Sequence, residues 1–547
     1  MVILGNPPYQ RNSQNNGKWI TKLMEDYKKE PNSKQKLDED NPKNINDDYV
    51  KFIRYSQYMI DKNKEGMLAF INPNGYLESA TFRGVRWSLL SSFDEIYILN
   101  LHGNSRKGEN SSKDSAEENV FDIQTGVCIN IFVRKKNHNG LAKVFYSDLY
   151  GKRKDKYDWL VAHSFSDTQW KEITPVAPHY LFTPLSNDDL EDYHKGVRLS
   201  DLFPVNCNGF TTHRDKFAVA FTKEEIETRV SDLLSSDYTE GEIKEKYNIS
   251  DNRDWKLNVA RSLLKSQVKN EYISKCLYRP FDYRWCYLNK VFMDFPRVEI
   301  VSHVLNKENL CLLVPRQQSK EGFKHAFISD LPTEPCLIST ATSEQNSVFP
   351  LYLYSTGLLN EKRVNIAKKE ANKLLKKIGL TIEENKKNSC KPDDLMYYVY
   401  AVLYSDQYRE KYSKYCKSDF PYIPVPKTKD YFYEMAKLGK ELADIHLMKI
   451  KINYTDLKTT FDIEGDNIVD KPRFASNSVY INKNQLFGNV SEEIFNFIIG
   501  GHQPAKLWLK QRKGKKLTSE EIIHYQKILY SLEKTIQIME QIKLLDN

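Results

Sequence analysis

No stretch of this chain approaches the ~20 consecutive apolar residues that a membrane-spanning helix needs, and no basic segment followed by an apolar core opens it. Neither membrane insertion nor export is expected, and the expected location is the cytoplasm. The cysteines, at 128, 207, 276, 286, 311, 336, 390 and 416, are scattered, with no Cys-x-x-Cys pair and no Cys/His cluster. That excludes a disulfide framework and a structural zinc site and fits a reducing compartment, so no metal ligands are expected. No internal repeat is present, which removes solenoids and propellers. Extensive disorder is also excluded, because 40% hydrophobic and 28% charged residues describe ordinary globular material, and 547 residues imply more than one domain.

What is present is a modest excess of base, +8 from 81 Lys and Arg against 73 Asp and Glu, which suits a polyanionic partner. With it come 34 Tyr and 26 Phe, a supply of flat rings suited to stacking on bases, although most rings in a chain this size belong to its core. The sharpest local feature is at the start, where an apolar strand, Val2-Ile3-Leu4-Gly5, runs into Asn6-Pro7-Pro8-Tyr9. A strand ending in a polar turn is where α/β enzymes keep reactive groups. The exocyclic amine of adenine is a poor nucleophile because its lone pair is delocalised into the ring. If the Asn6 side-chain oxygen and the Pro7 carbonyl each accept one of its hydrogens, the nitrogen becomes more pyramidal and more reactive. Two prolines stiffen the turn and add no competing N–H. Tyr9 offers a face for stacking on a base flipped out of the duplex. The plain alternative is an ordinary turn, and the same tetrapeptide also serves methylation of glutamine side chains in proteins.

Residues 11–48 are polar with little periodicity and read as a long loop. Residues 49–60 have helical spacing, 66–71 a buried-strand pattern, 82–90 a helix, and 96–101 and 126–133 strands, an alternation that predicts a parallel-type α/β sheet with crossover helices. Residues 103–119 read as an exposed loop, and mixed signals over 137–180 place a domain boundary there. Beyond it follow acidic-basic helices over 223–266, aromatic strands around 278–295, a basic helix over 362–377 with a solvated face, and a final helix over 519–545. Lys506 to Lys516 holds six cations and no acid, a phosphate contact or a plain surface.

Taken together, Asn6-Pro7-Pro8-Tyr9, Ile71-Asn72-Pro73-Asn74-Gly75-Tyr76, Arg86, Leu101-His102-Gly103-Asn104 and Asn119-Val120-Phe121-Asp122-Ile123 resemble the second half of a γ-type N6-adenine DNA methyltransferase. Asn208 to Asp215, Tyr278 to Asp282, Phe349 to Tyr354 and Gly500-Gly501-His502 through Lys510 are similar to the C-terminal target-recognition domain of type ISP restriction-modification enzymes. The resemblance implies an α/β fold: the C-terminal half of a Rossmann-like methyltransferase sheet over 1–150, a linker over 151–180, and a mixed α+β target-recognition domain with a helical C-terminus over 181–547. It implies methyl transfer from S-adenosylmethionine to adenine N6 in double-stranded DNA. Asn6, Pro7, Pro8 and Tyr9 are then catalytic, and Phe121 walls the target-base pocket. Arg214, Arg279, Arg284, Arg297, Arg316 and Gln317 are candidate base readers, and Lys510, Arg512 and Lys513 candidate phosphate contacts.

In that family the glycine-rich cofactor loop precedes the catalytic turn, and no such loop is found here; nor is there a Gly-x-x-x-x-Gly-Lys-Ser/Thr phosphate loop or a nuclease carboxylate set. The expectation is a truncated or split methyltransferase that is inactive alone and partnered by an upstream polypeptide carrying the cofactor-binding, helicase and nuclease parts. Two alternatives stand beside it: a non-catalytic DNA-specificity fragment or subunit, and a protein glutamine methyltransferase, against which the long basic, aromatic-rich region after the catalytic segment argues.

Overall fold

The computed structural model describes all residues except 11–12, 40–41, 105–116, 185–186, 267–269, 319–321, 342–343, 356–360, 384–385, 418, 451–456 and 547. The chain folds as two compact units, Met1–Glu191 and Asp192–Gln318 with Gly322–Asn547. No helix among the described residues is long and apolar enough to cross a membrane.

The first unit is built on a six-stranded sheet. Its strands are β1 (Val2–Gly5), β2 (Gly66–Pro73), β3 (Glu95–Asn100), β4 (Val127–Arg134), β5 (Lys143–Asp148) and β6 (Lys171–Ile173), in the order β1-β2-β4-β3-β5-β6. β1 is parallel to β2, and β3 to β5, while β4 runs antiparallel to both β2 and β3, so β1, β2, β3 and β5 share one direction. The sheet is therefore mixed, where the alternation of strands and helices led us to expect a parallel one. A parallel neighbour needs a crossover of a dozen or more residues, usually a helix. Residues 101–126 between β3 and β4 contain no helix among those described, and β4 returns antiparallel between β2 and β3.

Helices α1 (Lys18–Met24), α2 (Asp48–Asn63), α3 (Arg83–Ser92) and α4 (Arg153–Ala162) complete this unit. α2 buries Tyr49, Val50, Ile53 and Ile60, the periodicity of a helix with one face on the core. Together with α3 it covers the sheet face formed by Leu68, Phe70, Ile96, Ile98, Phe132 and Val144. The expected polar loop over 11–48 instead contains α1, because Ile20, Met24 and Tyr27 have helical spacing within a polar segment and are buried; Tyr27 donates to Gln57 Oε1 at 2.7 Å. Residues 151–180, expected as a linker, contain α4 and β6, and β6 extends the sheet by pairing with β5. Most of the expected exposed loop over 103–119 lies outside the described residues.

The second unit contains several small antiparallel sheets and a helical end. Strands β7 (Cys207–Asn208), β11 (Cys311–Pro315), β12 (Phe327–Ser329) and β13 (Asn346–Pro350) form one sheet in the order β12-β11-β13-β7. β8 (Val219–Ala220), β9 (Ile273–Arg279) and β10 (Asp282–Tyr287) form another, against which α5 (Lys223–Leu234), α6 (Glu240–Tyr247) and α7 (Leu257–Ser266) build an aromatic core around Trp255, Tyr287 and Phe292. The basic helix expected over 362–377 is shorter, Lys368–Leu375, because Lys362–Val364 pairs as a strand with Tyr352–Tyr354. Its lysines are solvent-exposed, as a solvated face requires.

The helical end packs α8 (Pro392–Tyr404), α9 (Lys429–His446), α10 (Pro504–Lys510) and α11 (Ser519–Asp546). α8 and α9 approach closely at Gly439, where an added Cβ would lie 1.9 Å from the Tyr397 carbonyl oxygen. Alanine favours a helix over glycine by ~1 kcal/mol, so G439A would stabilise an exposed site. Here the backbone clash dominates, and we expect G439A to cost about 2–3 kcal/mol. A lowered denaturant midpoint for the second unit's transition checks this; an unchanged or raised midpoint refutes it.

His446 is fully enclosed between these helices. The Thr535 hydroxyl donates to the Ser531 carbonyl at 2.7 Å, so its oxygen accepts from His446 Nε2–H at 2.9 Å, and Nδ1 accepts from the Tyr400 hydroxyl at 2.5 Å. Burial, reinforced by the nearby Arg409 charge, pushes the His446 pKa down to about 3. Between the ordinary histidine value of ~6.5 and that depressed value the unfolded chain takes up a proton that the folded chain refuses. The stability is complete above the unfolded value and falls with acidification through this window, by at most about 1.4 kcal/mol per pH unit. His502, pushed down to about 4 first by burial and then by Arg279, acts in the same direction. Replacing His446 by glutamine should flatten the dependence of Tm on pH below neutrality; parallel curves for the two proteins would show that His446 does not contribute.

Candidate functional site

Because β1, β2, β3 and β5 point the same way, their carboxyl ends bring Asn6-Pro7-Pro8-Tyr9, Asn74, His102 and Asp148 to one edge of the first unit's sheet. Pro7 is buried, Asn6 and Pro8 are exposed, and Tyr9 is half-buried. The Tyr9 hydroxyl lies 2.8 Å from Asn6 Oδ1 and 3.2 Å from the Ile71 carbonyl oxygen. Burial, followed by the neighbouring Cys128, pushes the Tyr9 pKa up to about 12, so the phenol remains a hydrogen-bond donor. Its single hydrogen orients the Asn6 amide while leaving that oxygen a second lone pair. Tyr9 and Phe121 pack against one small apolar cluster, Leu99, Leu101, Val120, Val127 and Leu149, which brings the two expected rings to the same edge.

Behind this turn lies a chain of hydrogen bonds. Asn74 Nδ2 donates to Asn100 Oδ1 at 3.0 Å, Asn100 Nδ2 to the Tyr146 hydroxyl at 2.9 Å, and that hydroxyl to Asp148 at 2.6 Å. His102 Nε2 lies 2.7 Å from the same carboxylate, and its ring stacks on Tyr150 with centroids 3.9 Å apart. His102 has φ +51° and Gly103 φ +82°; a Cβ on Gly103 would come within 2.4 Å of Asn119 Cα, so only glycine fits there.

The Phe121 segment is held by α4, whose role sequence reading missed. Arg153 donates to the Asn119 carbonyl at 2.7 Å and the Phe121 carbonyl at 3.0 Å, and pairs with Asp122 at 2.8 Å. Lys156, fully buried, donates to the Leu101 carbonyl at 2.7 Å and the Glu118 carbonyl at 2.6 Å and pairs with Glu117. Tyr157 donates to the Val120 carbonyl. The only sequence sign of this clamp was a helix beginning Arg-Lys-Asp-Lys-Tyr, indistinguishable from a solvated surface helix.

In the second unit, four of the expected DNA contacts are buried and carboxylate-bound. Arg214 pairs with Asp294 at 2.6 Å and lies over Trp255; Arg279 pairs with Glu334 at 2.5 Å. Arg284 makes a bidentate contact with Asp282 and reaches Gln511 at 2.8 Å, while Arg512 bridges Asp282 at 3.1 Å and Glu521 at 3.0 Å. These arginines hold the unit together, which replaces the expectation that they face nucleic acid. Charge pairs contributed by residues remote in sequence are invisible to a linear reading. Arg316 pairs with Asp419 at 2.9 Å and is partly exposed, and Gln317 is half-buried. Lys510 and Lys513 are exposed. Arg297 makes a loose pair, 3.7 Å from Glu299.

The described turns that follow β1, β2, β3 and β5 begin Asn6-Pro7-Pro8, Asn74-Gly75, Leu101-His102-Gly103-Asn104 and Leu149-Tyr150-Gly151, and none has the Gly-x-Gly approach that lets a backbone close on a nucleotide. This set does not by itself fit S-adenosylmethionine.

The chain matches two known family models. Residues 201–541 match the Type ISP C-terminal specificity domain, and residues 1–106 match the Eco57I restriction-modification methylase family. The chain belongs to the Type ISP C-terminal specificity domain family. Its mixed α/β fold, with several sheets and a helical C-terminus, is shared with solved structures. One is the ATP-dependent Type ISP restriction-modification enzyme LlaBIII bound to DNA, with TM-score 0.71, 22% identity, and coverage of 99% of this chain and 37% of that one. A nuclease-deletion mutant of the Type ISP enzyme LlaGI in complex with a DNA substrate mimic gives TM-score 0.71, 22% identity and coverage of 99% and 52%. The DrdV–DNA complex gives TM-score 0.71, 19% identity and coverage of 100% and 56%. This specificity-family chain thus spans from 37% to 56% of those longer polypeptides. A comparison with curated proteins gives no match.

Proposed function

We propose that this chain is the methyl-acceptor half and the DNA-specificity unit of an adenine-specific DNA methyltransferase of a restriction-modification system. The observation that carries the reading is the Asn6-Pro7-Pro8-Tyr9 turn at the carboxyl end of a parallel strand, in one polypeptide with a Type ISP specificity domain. The six-stranded sheet is read as the C-terminal half of a Rossmann-like methyltransferase sheet, supported by its four co-directional strands with α2 and α3 between them.

Asn6 Oδ1, oriented by Tyr9, and the Pro7 carbonyl accept the two amine hydrogens of an extruded adenine and concentrate electron density on N6. Tyr9 and Phe121 provide the apolar contacts that take over from base stacking. S-adenosylmethionine supplies an electrophilic methyl group when bound. We assign its binding to a second polypeptide segment seated beside β1. Among the described residues that strand pairs with β2 alone, and Val2 is 66% and Leu4 72% exposed, an apolar edge of the kind that accepts another strand. The second unit binds double-stranded DNA and selects the site, as the DNA complexes of its fold relatives suggest.

Tritium transfer from labelled donor separates this reading from its rivals. The isolated chain should transfer little or no methyl to duplex DNA, and the chain combined with a donor-binding polypeptide should label adenine N6. Label in protein but not in DNA would favour glutamine methylation. Site-specific DNA binding without label in any combination would leave a pure specificity subunit, the reading favoured by the lack of a Gly-rich turn.

A further inference from the structure

The second unit carries a surface cluster that its internal ion pairs do not consume. Thr211 and Phe295 form an isolated antiparallel bridge, each donating its N–H to the other's carbonyl, at 2.8 and 3.0 Å. Two residues beyond the bridge on each segment stands a non-glycine residue with left-handed backbone: His213 at φ +53° and Arg297 at φ +50°. Such conformations are costly and persist where surrounding structure holds a side chain in a required place. Both side chains gather around the half-buried Phe295 ring, His213 edge-on with centroids 6.2 Å apart and the Arg297 guanidinium carbon 5.3 Å from its centre.

The imidazole is anchored from behind. His213 Nδ1 contacts Asp294, whose side chain is fully buried and also takes Arg214 at 2.6 Å and Asn252 at 2.8 Å. Burial pushes the Asp294 carboxyl up, but the bonds from His213, Arg214 and Asn252 outweigh it and hold it below the usual carboxylate range. The ionised carboxylate fixes a proton on Nδ1, leaving Nε2 of a side chain that is 55% exposed without a partner among the described residues. Arg297 is partly exposed, and the ion pair found for it among the described residues is the loose 3.7 Å contact of Nη1 with Glu299; its Nε is buried, so the two Nη groups are the donors it can offer. The two arginines are each matched by a carboxylate, Arg214 by Asp294 and Arg297 by Glu299. Such matching leaves little general attraction to phosphate. A fixed imidazole nitrogen and a partly exposed guanidinium beside a ring suit base edges, where hydrogen bonds carry sequence information.

We propose that His213 and Arg297, grouped around Phe295, form a base-reading contact of the specificity unit. This rests on the reading that the unit binds duplex DNA site-specifically. Arg297 offers two donors to a guanine edge, and His213 Nε2 exchanges one hydrogen bond with a neighbouring base.

The test is selection of bound duplexes from a pool with a randomised central segment, using the full chain at fixed salt. Variants are H213A, H213N (asparagine tolerates left-handed backbone), R297A, R297K and, as a phosphate-type control, K513A, each checked for unchanged thermal unfolding. The wild type should enrich a motif. The His213 and Arg297 variants should lose roughly tenfold to a hundredfold discrimination at one or two adjacent positions, R297K as much as R297A, because lysine keeps the charge and loses the fork. K513A should weaken binding uniformly and keep the motif. Variants at both positions that enrich the unchanged wild-type motif, whatever their affinity, overturn the proposal. A wild type that binds duplexes without preference, or not at all, overturns the specificity reading itself, and this contact with it.

Discussion

Replacing Asn6 by alanine should reduce methyl transfer by the reconstituted enzyme by about 100- to 1,000-fold, the loss typical of removing one preorganised polar group from a reacting centre. The turn offers two acceptors, and alanine removes the one that a side chain provides. The Pro7 carbonyl survives, so residual transfer above background is expected. Asn6 is solvent-exposed, with one side-chain bond among the described residues, to Tyr9; the substitution should therefore leave stability within about 1 kcal/mol. N6D keeps an acceptor and should retain more activity than N6A. Y9F removes the bond that orients Asn6 and keeps the ring, so it should lower the single-turnover rate by about tenfold while the affinity for duplex stays unchanged. If N6A turns over at the wild-type rate with labelled donor, the acceptor reading of the turn fails.

That the turn can be argued from sequence follows from its compactness: four consecutive residues after a strand contain both the acceptors and the stiffness. The same holds for α2, β2, α3 and β3, whose periodicities are local. Legibility ends where function depends on groups far apart in sequence. The antiparallel placement of β4 between β2 and β3 is a long-range pairing with no periodic signature. The arginines expected to face DNA illustrate the limit best. Arg284 and Arg512 share Asp282 although 228 positions separate the two arginines, and Arg279 finds Glu334 across 55. A guanidinium buried against a carboxylate and one open to a nucleic acid are identical as letters. Arg297 differs from them by its exposure and its 3.7 Å ion pair, visible only in three dimensions.

The α4 clamp leads to the largest expected stability effect. Lys156 is fully buried with its ammonium on two backbone carbonyls and the Glu117 carboxylate, itself almost completely buried. Such a pair offsets its desolvation cost only while all its members are present, and removing one partner of a buried pair costs about 3–5 kcal/mol because the other charge is stranded. Lys156→Met keeps the length and apolar stem of the side chain, so its loss is electrostatic rather than a cavity. It should lower the first unit's unfolding free energy by that amount, read from its denaturant midpoint. The second substitution Glu117→Leu removes the stranded carboxylate, and the double variant should regain a large part of the loss, as hydrophobic replacements of buried pairs do. The Leu101 and Glu118 carbonyls stay unpaired in both variants, so recovery should remain incomplete. Because the same ammonium ties the end of β3 to the segment leading into Phe121, amide exchange over residues 117–122 should accelerate in Lys156→Met beyond the change at α2, which touches neither group. A single variant as stable as the wild type, or a double variant less stable than the single, would show that Lys156 is tolerated in this core without organising it.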